Sequence, residues 1–177
     1  AVIDTENDSA SLYSDLGEYN TLSLQSPYTP ERYTEAINTC TNAGIEVVII
    51  DSISHEWEGK GGCLEICESL GGRFADWAKV TPRHNSFIQS ILTANCHVIT
   101  TVRRKQDYDM CKNEKGKTEV TKVGTKEVTR DGFEYELTVN FEFINDKHLV
   151  KASKDRTGLF ANAPEHVITH ETGKRLI

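Results

Sequence analysis

An acid and a hydroxyl, Asp51 and Ser52, come directly after the most apolar run of the chain. This run, residues 45–50, is too short to span a membrane and is rich in β-branched residues. Such a run favours a strand that is buried on both faces of a parallel sheet, and ligands of open α/β sheets bind at the carboxyl ends of these strands. A carboxylate there suits a Mg²⁺-bound water beside a nucleotide, so Asp51 is a candidate metal ligand with Ser52 beside it.

A nucleotide site of this kind normally includes a glycine-rich phosphate loop. The pattern G-x-x-x-x-G-K-[ST] does not occur in the 177 residues. The sequence therefore predicts the metal side of a nucleotide site without the usual cradle of backbone N–H groups for the phosphates.

The composition is typical of a soluble globular domain with a sizeable core. Hydrophobic residues make up 37% and charged residues 27% of the 177 residues, and no apolar run is long enough for a membrane span. The five cysteines are odd in number and lack the paired spacing of structural zinc sites. We therefore expect reduced thiols and a cytosolic compartment.

The basic residues are clustered although the net charge is −7. Arg103, Arg104 and Lys105 follow one apolar run, and Lys154 and Arg156 close another segment. The overall charge argues against a surface that coats nucleic acid uniformly, but it permits a local anion-binding face. A solvated charged surface is the alternative interpretation.

Predicted strands and helices alternate along the first hundred residues. The strands are predicted at residues 1–4, 19–24, 45–51 and 96–102. The helices are predicted at residues 29–43, 64–70 and 83–93, the first with Thr29 as N-cap, Pro30 at its first position and Gly44 beyond its end. This order predicts a parallel sheet in a three-layer α/β fold with right-handed crossovers.

The last third of the chain has a different pattern. Alternating sequences at residues 118–123 and 134–139 predict half-exposed antiparallel strands. Asn145 and Asp146 can turn a strand at 133–144 back into a strand at 148–152, which predicts a hairpin. We expect one domain with an α/β core at residues 1–105 and a β-rich part at residues 106–177.

Three segments resemble, in their order, the RecA-like ATPase core: AVIDTE at residues 1–6, Asp51-Ser52, and VITTVRRK at residues 98–105. More narrowly, the chain resembles the short RecA-like ATPases of bacteriophages, often labelled phage nucleotide-binding or AAA-type proteins. The segments that carry this narrower likeness span nearly the whole chain and lie at residues 51–57, 80–85, 130–136 and 154–160.

The resemblance implies a RecA-like P-loop fold, ATP and Mg²⁺ as cofactors, and a homo-oligomer that binds the nucleotide at a subunit boundary. It also implies a place in the cytoplasm of a bacterial host, with hydrolysis coupled to DNA recombination, annealing or replication. An alternative is a non-catalytic module on the same fold that binds single-stranded nucleic acid or a protein.

The resemblance also implies roles for residues near the strand ends. Glu6 lies where these enzymes place the acid that orients the attacking water, and Asp51 takes the position of the Mg²⁺-water ligand. Thr101 lies at the position of a polar sensor of the γ-phosphate, where RecA has a glutamine. The alternatives are an exposed acid for Glu6, a helix-capping or loop carboxylate for Asp51, and a strand-filling side chain for Thr101.

Two further sets of residues receive roles from the same resemblance. Lys154 and Arg156 resemble a Lys-x-Arg segment through which related recombinases reach the nucleotide of a neighbouring subunit, with a solvated strand end as the alternative. Trp57 and Lys60 lie in the region of the DNA-facing loops, where Trp57 or Trp77 would stack on bases and Arg103, Arg104 and Lys105 would follow the backbone. A tryptophan in the core is the alternative.

The missing phosphate loop leaves three interpretations open. In this fold the strand that leads into the loop lies beside the strand that ends at Thr101, so its loss would expose an apolar edge of the sheet. The chain is then the C-terminal portion of a longer ATPase, or residues 133–144 fill the gap, or the protein has lost ATPase function and serves as a binding module.

Overall fold

The structure is a computed structural model that describes residues 1–112 and 118–176, and side chains at residues 1–107 and 124–176. The chain divides into two compact units, Ala1–Asp131 and Gly132–Ile177. Among the helices of the described residues, none is both long and apolar enough to cross a membrane.

The first unit contains a parallel sheet of four strands in the order β2-β1-β3-β4. The strands are β1 at Val2–Asp4, β2 at Thr21–Ser23, β3 at Val47–Asp51 and β4 at His97–Thr100. Ile3, Val48 and Ile50 are fully buried, as expected for central strands of a parallel sheet. The prediction of an α/β class with a mainly parallel core sheet is confirmed.

The helices of this unit connect the strands. They are α1 at Pro30–Asn42, α2 at Ser54–Glu58, α3 at Cys63–Ser69 and α4 at Trp77–Leu92, with short 3₁₀ helices at Ser9–Leu16 and Phe74–Asp76. α1 begins after Thr29, and Gly44 adopts a left-handed φ of 75° just beyond its end. Between α1 and α4, the rings of Tyr33 and Phe87 lie 5.2 Å apart.

One helix begins earlier than the sequence predicts. α4 begins at Trp77 and contains Pro82, whereas the prediction placed its start near residue 83. A proline inside a helix removes one hydrogen bond, but the buried face of Val80, His84, Phe87 and Ile91 keeps helical spacing across it. The packing of this face outweighs the local cost of the proline.

An antiparallel hairpin follows β4 within the first unit. β5 at Arg104–Lys112 pairs with β6 at Thr118–Glu127, and the register shifts between Asp107 and Tyr108. The base of the hairpin is fixed by two backbone N–H groups: that of Arg103 donates to Ser54 Oγ at 2.9 Å, and that of Val128 donates to the Arg103 carbonyl at 2.8 Å.

The second unit is a small antiparallel sheet with two short helices. Its elements are α5 at Phe133–Glu136, β7 at Val139–Phe143, β8 at Leu149–Asp155, β9 at His166–Val167 and α6 at His170–Lys174. The strands lie in the order β7-β8-β9. The hairpin predicted around Asn145 and Asp146 is the β7–β8 pair.

Two predictions for this region were wrong. Residues 133–136 form a helical turn, because Phe133 is buried after Gly132 in a left-handed conformation and the alternating pattern is too short to exclude a turn. Residues 133–144 also do not fill a gap in the core sheet, since β7 pairs with β8 in a separate sheet.

The outer edge of the core sheet is formed by β4. Within the described residues β4 pairs only with β3, and the side chain of Ile99 is 52% exposed. An apolar, uncovered edge strand is a place where a further strand can pair.

Candidate functional site

The carboxyl ends of β1, β3 and β4 meet at one edge of the parallel sheet. Asp4 and Asp51 are paired in register on β1 and β3. Thr101 directly follows β4, and its N–H donates to the Ile50 carbonyl at 3.0 Å. Side chains that follow these strands are therefore brought together at the edge where α/β sheets bind ligands.

Asp51 and Thr101 are in direct contact. The Thr101 hydroxyl donates to Oδ1 of Asp51 at 2.5 Å. Asp51 is half-buried, and the peptide bond to Ser52 is cis. The hydroxyl fixes one carboxylate oxygen, so the remaining oxygen lone pairs of Asp51 can accept hydrogen bonds from a water bound to a cation.

Glu6, which follows β1, lies beside Ser52, which follows the neighbouring strand β3. The Ser52 hydroxyl donates to Oε1 of Glu6 at 2.9 Å, and the Arg103 guanidinium donates to Oε2. The ring atom Nδ1 of His55 lies 3.9 Å from Oε1. These neighbours hold the carboxylate at the end of β1, where it has both a fixed orientation and a cation beside it.

Buried polar side chains hold the backbone at Glu6 and Ser52 in place by hydrogen bonds. The Thr5 hydroxyl accepts the N–H of Ser52 at 2.8 Å, and the Tyr33 hydroxyl donates to the Ser52 carbonyl at 3.0 Å. The Asp4 carboxylate accepts the backbone N–H groups of Glu6 and Ala10, both at 2.7 Å. The backbone that carries Glu6 and Ser52 is thus fixed by hydrogen bonds to side chains of β1 and α1.

The surroundings of His55 favour the neutral form of its ring. Burial lowers its pKa, and the charge of Arg103 lowers it further, while Glu6 acts in the opposite direction. The ring stacks on Tyr28 with centroids 4.7 Å apart, and Nδ1 lies 2.9 Å from the Thr5 hydroxyl.

The residues predicted to contact nucleic acid lie around the base of the hairpin. Lys105 Nζ lies 3.1 Å from a carboxylate oxygen of Glu58, and Arg103 pairs with Glu6. Arg104 opens β5, Lys60 is exposed after α2, and Trp57 is half-buried. Lys105 and the backbone of Arg103 therefore adjoin α2, the helix that carries Trp57.

Lys154 and Arg156 lie in the second unit, at the end of β8. Both side chains donate to the backbone carbonyl of Tyr135, and the Arg156 bond is 2.6 Å long. Partial burial lowers the pKa of Lys154, and the neighbouring charge of Arg156 contributes. Two cations therefore converge on one neutral acceptor.

Sequence reasoning missed the residues that support the site. His55 follows closely after Asp51 in the sequence, and this proximity could have suggested that it lies at the site. No comparable pattern pointed to Thr5. A buried cluster was also missed: Cys63 Sγ donates to Glu56 Oε1 at 3.0 Å, and His84 Nδ1 lies 3.1 Å from both oxygens of Glu56. Burial and the charge of Glu56 raise the pKa of the Cys63 thiol. The three side chains therefore satisfy one another by hydrogen bonds inside the core.

A comparison with models of protein families shows the family to which the chain belongs. A family model described as an AAA domain matches residues 1–169. The chain belongs to the AAA domain family. Comparisons of this AAA domain with curated proteins and with solved structures gave no match.

Family membership implies nucleotide binding of the ATPase type, and the donor atoms of this AAA domain can be compared with that expectation. Asp51, Ser52 and Thr101 supply carboxylate and hydroxyl oxygens, which are the ligands that Mg²⁺ prefers directly or through water. The residues at the strand ends therefore fit a hydrated magnesium ion.

Proposed function

We propose that this AAA domain hydrolyses ATP and couples hydrolysis to work on DNA, in recombination, annealing or replication in a bacteriophage. The observation that carries the proposal is the placement of Glu6 and Asp51 at the ends of adjacent parallel strands, each held by a hydroxyl group. Two carboxylates so placed can serve two different roles, one toward water and one toward a hydrated cation.

Glu6 would orient the water that attacks the γ-phosphate. Its Oε1 is held by Ser52 and its Oε2 by Arg103, so the carboxylate has a defined direction at the edge of the sheet. His55 lies beside it, and burial lowers the pKa of that ring.

Asp51 would hold a water of the magnesium ion, with Ser52 and Thr101 beside it. Bound Mg²⁺ would neutralise charge on the phosphates of ATP. The Thr101 hydroxyl bonded to Asp51 fixes that carboxylate and offers a polar group near the expected γ-phosphate.

A phosphate loop would come from a segment upstream of residue 1 in a longer protein. Within the part of the chain that the structure describes, β4 pairs on one side only and Ile99 is half exposed; this supports the proposal because such an edge can pair with one more parallel strand.

Lys154 and Arg156 would act in trans on the nucleotide of a neighbouring copy in a homo-oligomer. Their convergence on the Tyr135 carbonyl supports this role, because a neutral acceptor leaves their positive charge available to a phosphate. Single-stranded DNA is the proposed partner of the cations at the base of the hairpin.

Hydrolysis of ATP, with and without single-stranded DNA, tests the proposal in the longest reading frame that contains this chain. Glu6→Gln is expected to lower kcat by at least about 100-fold, because an oriented carboxylate contributes on that scale. The matched control is Glu18→Gln, which removes an exposed acid. Full activity of Glu6→Gln, or equal loss in both variants, would contradict the assignment.

The second candidate function is a non-catalytic module that binds single-stranded nucleic acid or a protein. It is favoured by the lack of a phosphate-loop motif in the 177 residues. If the longest reading frame binds single-stranded DNA and shows no hydrolysis above the Glu6→Gln background, this function replaces the first.

A further inference from the structure

An open pocket of about 670 Å³ lies on the first unit, and its walls are mainly flat side chains. Trp57 of α2 and Trp77 of α4 stack with ring centroids 5.4 Å apart and planes inclined by 24°. Pro82 contributes to the wall from α4. The residues come from elements that are already fixed by the core, since Trp57 and Trp77 pack against buried Cys63, Cys67 and Val80.

Two features of this pocket have no explanation within the unit. The Phe74 ring is 94% exposed although it lies in a short 3₁₀ helix packed beside α4. Nη1 of Arg130 is buried and has no hydrogen-bond partner among the described residues. A buried donor without an acceptor carries a desolvation penalty, so an acceptor supplied by a ligand would remove a penalty already present.

The two features together define the ligand. It must present a flat apolar face to Phe74 and the tryptophan pair, and a hydrogen-bond acceptor to Arg130. A nucleotide meets both requirements, because its base offers a flat face and its phosphate, or the keto oxygen of a base such as thymine, offers an acceptor. Stacking on aromatic side chains is how single strands are commonly bound.

Arg130 is the charged residue among those that line the pocket, and its charge favours an anionic ligand. Asp76 is engaged by Arg73, and Glu58 by Lys105. Lys60 and Lys79 are exposed, and neither forms an ion pair with any residue described in the structure. Lys105 also links α2, the helix that carries Trp57, to the base of the β5–β6 hairpin.

We propose that the pocket formed by Trp57, Phe74, Trp77, Pro82 and Arg130 binds a base of single-stranded nucleic acid, with Phe74 as the stacking face and Arg130 as the hydrogen-bond donor. The proposal rests on the nucleic-acid partner of the proposed function and does not depend on hydrolysis. It gives Phe74 and Arg130 a binding role that the sequence did not suggest, and it includes Trp77, which the sequence did suggest.

Tryptophan fluorescence tests this proposal directly, because Trp57 and Trp77 are the two tryptophans of the chain. Titration with an oligothymidylate of about 15 nucleotides should quench the emission of the 177-residue protein. Phe74→Ala should weaken binding about tenfold. Arg130→Gln should also weaken binding, but the extent of quenching at saturating oligonucleotide should be unchanged. Circular dichroism verifies that both variants are folded.

Two control variants separate the pocket from general effects. Phe143→Ala removes another exposed phenylalanine, and Lys147→Gln removes one positive charge from the turn between β7 and β8. Both should bind the oligothymidylate as the unchanged protein does. Thymidine triphosphate at equal nucleotide concentration should bind at least tenfold more weakly, since it engages one site only.

The outcomes distinguish this inference from the proposed function. If Phe74→Ala and Arg130→Gln bind normally while the Arg103→Gln, Arg104→Gln, Lys105→Gln triple variant loses binding, the nucleic-acid partner stands and the pocket assignment fails. If free thymidine triphosphate binds as well as the oligonucleotide and Phe74→Ala weakens both equally, the pocket is a mononucleotide site and the single-strand assignment fails. Absence of any binding overturns both the pocket and the nucleic-acid partner. The pocket assignment is also overturned if the protein binds no DNA but self-associates at higher concentration, and Phe74→Ala abolishes that self-association.

Discussion

Hydrogen bonds at the residue scale distinguish the acids that support the fold from the acids at the strand ends. Asp4 is committed to two backbone N–H groups, and Glu56 is committed to Cys63 and His84. Glu6 and Asp51 instead have side-chain partners at the surface of the strand ends. Acids that look alike in the sequence therefore have different surroundings, since Asp4 and Glu56 are buried whereas Glu6 and Asp51 are half-buried.

The Thr5 hydroxyl offers a test of the support beneath the site. Thr5→Val keeps the shape of the side chain but leaves the N–H of Ser52 buried without its acceptor. We expect the free energy of unfolding to fall by about 1–3 kcal/mol, measured by urea denaturation. Thr39→Val, on the exposed face of α1, is the control and should cost less than about 0.5 kcal/mol. Equal losses would show that the bond to Ser52 has no special weight.

The lowered pKa of His55 predicts a pH dependence. Between the ordinary value of 6.5 and the lower folded value, the unfolded chain binds more protons than the folded one. Stability from this group is therefore complete above pH 6.5 and is lost as the pH falls through that window. Urea denaturation at about pH 7.5 and about pH 5.5 should show a smaller pH dependence for His55→Gln than for the unchanged protein. An identical dependence would contradict the assignment.

At the element scale, the pair of helices α1 and α4 holds the end of β3 in place. Tyr33 of α1 reaches the Ser52 carbonyl and contacts Phe87 of α4. At the exposed side of the same pair, Arg83 binds Glu31 through two hydrogen bonds and holds the pKa of Glu31 at about 2. Such an exposed ion pair adds little stability, so the apolar contact is the main connection.

Phe87→Ala tests this connection. The side chain is fully buried, so the cavity should lower the free energy of unfolding by about 3–5 kcal/mol in urea denaturation. Phe143→Ala, at a residue that is 55% exposed, should change it by less than about 0.5 kcal/mol. A small loss at Phe87 would mean that α1 and α4 hold together without this ring.

At the scale of the whole molecule, the proposed reaction is divided between copies of the chain. Glu6 and Asp51 belong to the first unit, whereas Lys154 and Arg156 belong to the second. A finger that acts in trans requires the acids of one copy and the cations of another to meet across a subunit boundary.

Mixing two inactive variants tests this division in the longest reading frame that contains the chain. Glu6→Gln and Arg156→Ala should each lack hydrolysis when assayed alone. In an equimolar mixture, boundaries that combine Glu6 of one copy with Arg156 of the other should recover a fraction of the activity. No recovery, with mixed oligomers verified by size, would show that Arg156 acts within its own chain or not at all.

Local patterns in the sequence predicted much of the fold. The β-branched run before Asp51, the Thr29-Pro30 helix start and the turn at Asn145 and Asp146 all appear where they were expected. These features are short-range, because burial periodicity and turn chemistry act within a few residues. The early start of α4 and the helical turn at 133–136 were missed because packing of Val80 and Phe133 outweighed local preference.

The sequence by itself determined the AAA-type family, the mainly parallel sheet and the acids that end its strands, because each follows from short segments and their order along the chain. Only the tertiary structure decided which groups meet: Arg103 with Glu6, Thr101 with Asp51, and Arg130 with Phe74 around one pocket. Glu6 and Arg103 are 97 positions apart. Such contacts depend on how strands and helices pack in space, and no local pattern of residue types encodes that geometry.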